Sequence, residues 1–166
     1  YDLGEDSKVR AEVGMSRNDL NRFSNLDSGD DIGFSAYTEL AHRFQLGSDS
    51  SGWSLGAQAS YEWVQANFEP LNPYRNPEFL RDWSLADVQG RGDVARAEEQ
   101  IGKGGISLRK KGLGQLNYEL SLFNRDSIYT GWQHRWQLRE QLERWQVELD
   151  GSWLNAESTS LRNRFL

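Results

Sequence analysis

Tryptophans bracket two stretches of this chain in which apolar residues fall at every second position. Trp53, Leu55, Ala57, Ala59, Tyr61 and Trp63 share one face of an extended segment, and Trp145, Val147, Leu149, Gly151 and Trp153 share one face of another. A period of two marks a β-strand with unlike faces, because successive side chains point to opposite sides. At roughly 3.3 Å per residue the bracketing pairs stand about 33 Å and 26 Å apart along their strands, or about 25 Å and 20 Å along the axis of a barrel tilted near 40°. A transmembrane β-barrel carries an apolar band about 25 Å tall, edged by aromatic girdles at both interfaces. The spacing therefore constrains the medium around the sheet more than it constrains any chemistry.

The same alternation runs through most of the chain. Val9, Ala11, Val13 and Met15 oppose Lys8, Arg10 and Glu12; the polar stretch over 16–31 reads as a long loop. Ile32, Phe34, Ala36, Leu40, Phe44 and Leu46 then oppose Ser35, Glu39, Arg43 and Gln45, in a strand far longer than the five or six residues that are about usual in globular sheets. A turn over Gly47 to Gly52 leads to an antiparallel strand from Trp53 to about Asn67. Further strands are expected over Gln100 to Lys110, Gln115 to Asn124, Tyr129 to Arg139 and Glu143 to Asn155, the last two as a hairpin through Glu140 to Leu142. Glu140, Glu143 and Arg144 would suit a helix over 136–147, but the alternation of Trp132, His134, Trp136 and Leu138 outweighs that propensity.

Pro70, Pro73 and Pro77 exclude 68–83 from the middle of a regular ladder, so an ordered excursion or an edge is expected there. Residues 86–100 read as loop, with a short helix over Asp93 to Gln100 as the alternative, and Thr159 to Leu166 look like the start of another strand. The count comes to about eight strands plus an incomplete one. Residues 1–166 thus form a single all-β domain with an excursion at about 68–100. The expected fold is an antiparallel up-and-down meander, as a transmembrane β-barrel or, preferably, a fragment of a larger one.

Composition removes several classes. Hydrophobic residues make up 37% and the mean hydropathy is −0.78, yet seven tryptophans and 12% aromatics argue against disorder. No window approaches the roughly 18 consecutive apolar residues of a membrane-spanning helix, a test that barrel strands escape. No secretory leader stands at Tyr1, which implies either its removal or an internal fragment. Zero cysteines exclude disulfides and thiolate metal sites. A net charge of −6 argues against nucleic acid as a partner.

If the apolar faces meet lipid, Trp53, Trp63, Trp132, Trp136, Trp145 and Trp153 are interface anchors, and Leu55, Ala57, Val147 and Leu149 touch acyl chains. The opposite faces then line a lumen with Arg43, Glu62, Glu119, Arg135, Arg139 and Glu148 among its charges. Both signs occur, so a narrow barrel can pair them and close while a wide one can keep them wet and conduct. The bland alternative is a soluble antiparallel sheet with one face on a core and these charges in water. Catalytic candidates are few. His42 and His134 sit on the mostly apolar faces, no serine lies in a nucleophile elbow, and no histidine pair has metal-ligand spacing. Glu98 and Glu99, like Asp30 and Asp31, are adjacent and read as solvated loop charges, and Gly102, Gly104 and Gly105 precede a strand rather than a phosphate-binding helix. The tripeptide Arg91, Gly92, Asp93 is short enough to recur by chance. No catalytic residue, cofactor or metal is expected. Two other readings remain: an extracellular β-sandwich binding glycan or a protein partner, and a lipid-active barrel enzyme built around His134.

The segment Asn67 to Trp83 (NFEPLNPYRNPEFLRDW), followed after a gap by Gly104 to Gly114 (GGISLRKKGLG), resembles stretches in large, mostly uncharacterised β-rich outer-membrane proteins of Bacteroidetes-type bacteria. The resemblance implies an envelope location and a longer chain, and it carries no functional residues across. No plug, receptor or peptidoglycan-binding segment is recognised in the sequence, which leaves transport, assembly and adhesion open. The expectation is a non-enzymatic component of a bacterial outer membrane with a structural, transport or envelope-assembly role, whose partners are membrane lipid and other envelope proteins.

Overall fold

A computed structural model of the chain describes residues 6–18, 31–48, 51–71, 75–76, 78–85, 97–141 and 144–158. Seven strands follow one another: β1 (Ser7–Arg17), β2 (Ile32–Leu46), β3 (Trp53–Val64), β4 (Glu99–Lys110), β5 (Gly114–Arg125), β6 (Tyr129–Gln141) and β7 (Gln146–Ser158). They form one sheet in chain order, every neighbouring pair antiparallel. A single helical turn, α1 (Phe79–Asp82), interrupts the connection between β3 and β4.

Alternation sets the register. Lys8, Ala41, Gln58, Gly105, Glu119, Arg135 and Ser152 are successive cross-strand partners, and the next row is Val9, Leu40, Ala59, Gly104, Leu120, His134 and Trp153. A slip of one residue in any pair would turn a whole strand over, so the two-faced pattern specifies the pairing strongly. Residues from all seven strands line one concavity of about 1240 Å³, so the sheet curls with its polar face inward. On the convex face Trp136 lies flat over β7, and a Cβ at Gly151 would stand 2.6 Å from its indole ring.

Burial runs opposite to that of an ordinary half-covered sheet. Every buried strand residue among those described, namely Gly33, Val64, Ile101, Ser121, Phe123, Tyr129, Gly131 and Gln133, points to the concave side. The core is Trp83, Leu85, Ile101, Phe123 and Tyr129, with Phe79, Leu154 and Ala156 against it. The convex face stands bare: Val13 is 82% exposed, Met15 69%, Trp153 62%, Ile106 55% and Leu40 53%.

Several expectations shift. The described residues hold seven strands rather than about eight, because 68–83 contributes no edge and β3 pairs directly with β4. Strand β3 ends at Val64 instead of near Asn67, and β7 begins at Gln146, which leaves Trp145 just ahead of it. Residues 136–139 are strand, as their alternation requires, and β6 runs on through Glu140 and Gln141, residues expected in the turn. A sandwich would need a second sheet on the apolar face, and the described strands form a single layer. Residues 19–30 of the expected loop, Asp30 among them, Leu142 of the expected hairpin, Pro73, Pro77, 86–96 with the tripeptide at Arg91 and the first part of the helix weighed for 93–100, and 159–166 lie outside the described residues; Ser16 and Arg17, expected in the loop, close β1, and Glu99 and Gln100 are strand.

Candidate functional site

The concave face gathers the chain's polar chemistry. Arg43, Glu62, Glu119, Arg135, Arg139 and Glu148 all lie on it, at successive odd or even positions that the register aligns. Across β5, β6 and β7 amides form a chain: Gln115 Nε2 donates to Asn117 Oδ1 at 2.6 Å, Asn117 Nδ2 to Gln137 Oε1 at 3.5 Å, and Gln137 Nε2 to Glu148 Oε1 at 3.0 Å. Arg139 Nε reaches the same carboxylate oxygen at 2.9 Å. On the other flank Lys8 Nζ stands 4.0 Å from Glu39, and Arg10 pairs with Glu12 at 2.5 Å. Among the described residues the charged ones lining the cavity are Asp6, Lys8, Arg43, Glu119, Arg135 and Asp150, three of each sign. Such a lining solvates polar solutes through amide and hydroxyl groups without a strong preference for either charge.

One end of this face is covered. Strands β2 and β3, β4 and β5, and β6 and β7 are joined through short stretches of sequence at one end of the sheet, whereas β1 and β2, and β3 and β4, are joined through long ones at the other, where β5 also turns into β6 over 126–128. Described parts of the long β3–β4 connection fold inward across the sheet. Gln65 exchanges bonds with Phe34, its N–H donating to the Phe34 carbonyl at 2.9 Å and its Oε1 accepting from the Phe34 N–H at 3.1 Å. Glu69 N–H donates to Ser16 Oγ at 2.9 Å, and Asn18 Nδ2 donates to the Glu69 carboxylate. The backbone of Asn67 and Phe68 passes so close to Gly33 that any Cβ there would overlap it.

Further along, Arg75 sits between two carboxylates, 2.9 Å from Glu62 and 2.7 Å from Glu99, with its guanidinium 4.4 Å from the centre of the Phe79 ring. Glu99 also lies 3.4 Å from Arg125 Nε. Then α1 delivers Phe79 and Trp83 onto Phe123, with ring centres 5.2 Å and 5.3 Å away, and Tyr129 OH donates to the Trp83 carbonyl at 2.7 Å. Arg135 Nη2 stands 3.8 Å from Asp82. The sequence reading misses this cluster and recognises no covering segment. It also takes Glu99 as a solvated loop charge, whereas Glu99 opens β4 with a side chain only 19% exposed between two arginines. A usable signal does exist: Ile101, Phe123 and Tyr129 put apolar side chains at positions of the otherwise polar face, all near one end.

Five of the expected tryptophan anchors, Trp53, Trp63, Trp132, Trp136 and Trp153, lie on the convex face, but not as two rows, and Trp145 stands outside the ladder, ahead of β7. Trp53 and Trp63 stand at opposite ends of β3, with Lys110 Nζ 5.1 Å from the Trp53 ring, and Trp132 lies near the long-loop end of β6. Trp136 and Trp153 sit mid-strand in β6 and β7, where one packs over Gly151 and the other stacks on His134 at 5.3 Å. Each histidine finds a hydroxyl on the neighbouring strand: His42 Nδ1 is 2.7 Å from Ser7 Oγ, and His134 Nδ1 is 2.8 Å from Tyr118 OH. In water the second contact contributes little. Against hydrocarbon Tyr118→Phe leaves an imidazole nitrogen unpaired and costs about 1–3 kcal/mol, readable as a lowered urea midpoint in vesicles but not for the water-exposed control Ser152→Ala.

Set against known proteins, the chain matches no family model, no curated protein and no solved structure.

Proposed function

We propose that this sheet is part of the wall of a transmembrane β-barrel in a bacterial outer membrane, with hydrocarbon against its convex face and water in its concavity, and that it serves passage of polar solutes or envelope architecture rather than catalysis. The observation that carries the reading is the inverted burial. A soluble sheet covers its apolar face and leaves its polar face wet. Here the only covering segment among the described residues lies on the polar face, while Leu40, Ile106, Leu149 and Trp153 stay at least half exposed. Soluble monomers rarely expose an apolar patch beyond a few hundred Å². The partners implied are lipid and whatever completes the wall. Strands β1 and β7 are the sheet's two edges, and six antiparallel steps between them make them run the same way. Hydrocarbon tolerates no open edge, so closure takes an odd number of further strands, a parallel seam, or pairing with other envelope proteins.

Flotation and quenching test this together. Mixed with vesicles whose acyl chains carry bromine, the protein floats with the lipid. Its emission from Trp53, Trp63, Trp132, Trp136, Trp145 and Trp153 falls, while a variant keeping only Trp83 is unquenched. Protein that remains monomeric in water without detergent and ignores the vesicles would remove the proposal.

A further inference from the structure

Building on the barrel reading, we propose that the β3–β4 connection is a stopper that shuts the long-loop end of the lumen, and that Arg75 is the latch holding it in. The covering parts, 65–71, 75–76 and 78–85, add no strand to the sheet's ladder. They are held in three places: the bonds of Gln65 and Glu69 to β1 and β2, Arg75 between Glu62 and Glu99, and the aromatic foot of Phe79, Trp83 and Leu85 on Phe123. A segment fixed by side chains rather than by a ladder opens at lower free energy than the strands beneath it. The first hold is a hinge, because it lies at the end of β3 where the chain enters. Among the described residues between hinge and foot, Arg75 ties the segment to β3 and β4 at once. Its hold is a charge-assisted hydrogen bond, Arg75 Nη2 donating to Glu99 Oε2 at 2.7 Å, together with the charge of Glu62, whose enclosed Oε1 lies 2.9 Å away with no hydrogen bond among the described residues.

The consequence is a cavity blind at one end. Long loops of outer-membrane barrels face outward, so the stopper stands at the outer mouth and the polar cavity opens toward the short turns. Solute that enters from the short-turn side leaves outward only when the foot lifts from Phe123.

These 166 residues contain no cysteine, so single cysteines placed in them report without background. Ser121 is 3% exposed on the concave face close to the stopper, where its neighbour Gln133 reaches the Asp82 carbonyl at 3.5 Å, and Ser107 lines the open cavity. In vesicles holding the full chain, a membrane-impermeant maleimide should label Ser107→Cys quickly and Ser121→Cys slowly. Adding Arg75→Ala should speed Ser121→Cys on the order of tenfold, the change that about 1.4 kcal/mol of lost closure produces, and leave Ser107→Cys unchanged. Arg75→Lys should restore part of the protection. If Arg75→Ala fails to assemble, Glu99→Gln in the Ser121→Cys background gives the same reading with the side-chain shape kept. Ser121→Cys labelling as fast as Ser107→Cys with Arg75 in place, or a rate unmoved by loss of either charge, overturns the latch. Leu120→Cys on the convex face reads the barrel separately: labelling of that site from water would discard the hydrocarbon while the stopper result still stands.

Discussion

Leu40→Arg is expected to cost about 2–4 kcal/mol of folding free energy in a bilayer, the depth-dependent cost of an arginine on the lipid face of a barrel near the midplane. Leu40 lies near the centre of the 15-residue β2, on the convex face, 53% exposed. The same exposure in a water-soluble sheet would make the substitution harmless or mildly favourable, since it would replace exposed apolar surface with charge. The two media therefore predict opposite signs for a single change. Leu149→Arg is the graded control. Leu149 is the fourth residue of β7, near the short turns, and there the cost falls to about 0–1 kcal/mol because the guanidinium reaches the interface. Ser60→Arg, one register row away on the concave face, should cost less than Leu40→Arg in a bilayer. Urea titration of protein folded into vesicles measures all three. Equal, small effects at Leu40 and Ser60 would mean that water touches both faces.

Period two in the sequence says which residues share a face, and that is enough to place all six charges on the concave side and the five tryptophans within the ladder away from it, with Trp145 left outside the ladder. It does not say how high on the sheet a residue stands. Trp136 and Trp153 therefore read as girdle residues although they lie at the middle of β6 and β7, against Gly151 and His134. The stopper was less legible still, for a different reason. Its contacts join residues far apart in sequence, as with Tyr129 and Trp83, separated by 46 positions. Periodicity is a local signal and carries nothing across such a distance. The prolines marked where the ladder stops, and the composition between Asn67 and Leu85 fits equally a loop in water and one folded over the sheet. Only the exceptions in the strands, Ile101, Phe123 and Tyr129 on a face of amides and charges, recorded that something apolar has to lie on them.

Those exceptions yield the second large effect, in a comparison between adjacent residues of β5. Phe123→Ala should cost about 3–5 kcal/mol, as a fully enclosed aromatic truncated to a methyl loses its transfer free energy and leaves a cavity. Phe123 is 1% exposed, and its ring centre lies 5.2 Å, 5.3 Å and 5.5 Å from those of Phe79, Trp83 and Tyr129. Leu122 points the other way, paired with Gly102 and Trp132 on the convex face. In a bilayer Leu122→Ala should cost less than about 1 kcal/mol, because lipid tails are as apolar as leucine and fill the space it leaves. If the convex face were instead the core of a water-soluble fold, the order would change. Leu122→Ala would then approach the roughly 2–5 kcal/mol of a buried leucine, and Phe123 would anchor only a surface loop. Equilibrium unfolding of both variants in the same vesicles, followed by far-ultraviolet circular dichroism so that lost indole contacts do not bias the signal, gives the ratio directly. A Leu122 effect equal to or above that of Phe123 contradicts a core seated inside the curl, and with it the premise that the sheet buries its polar side.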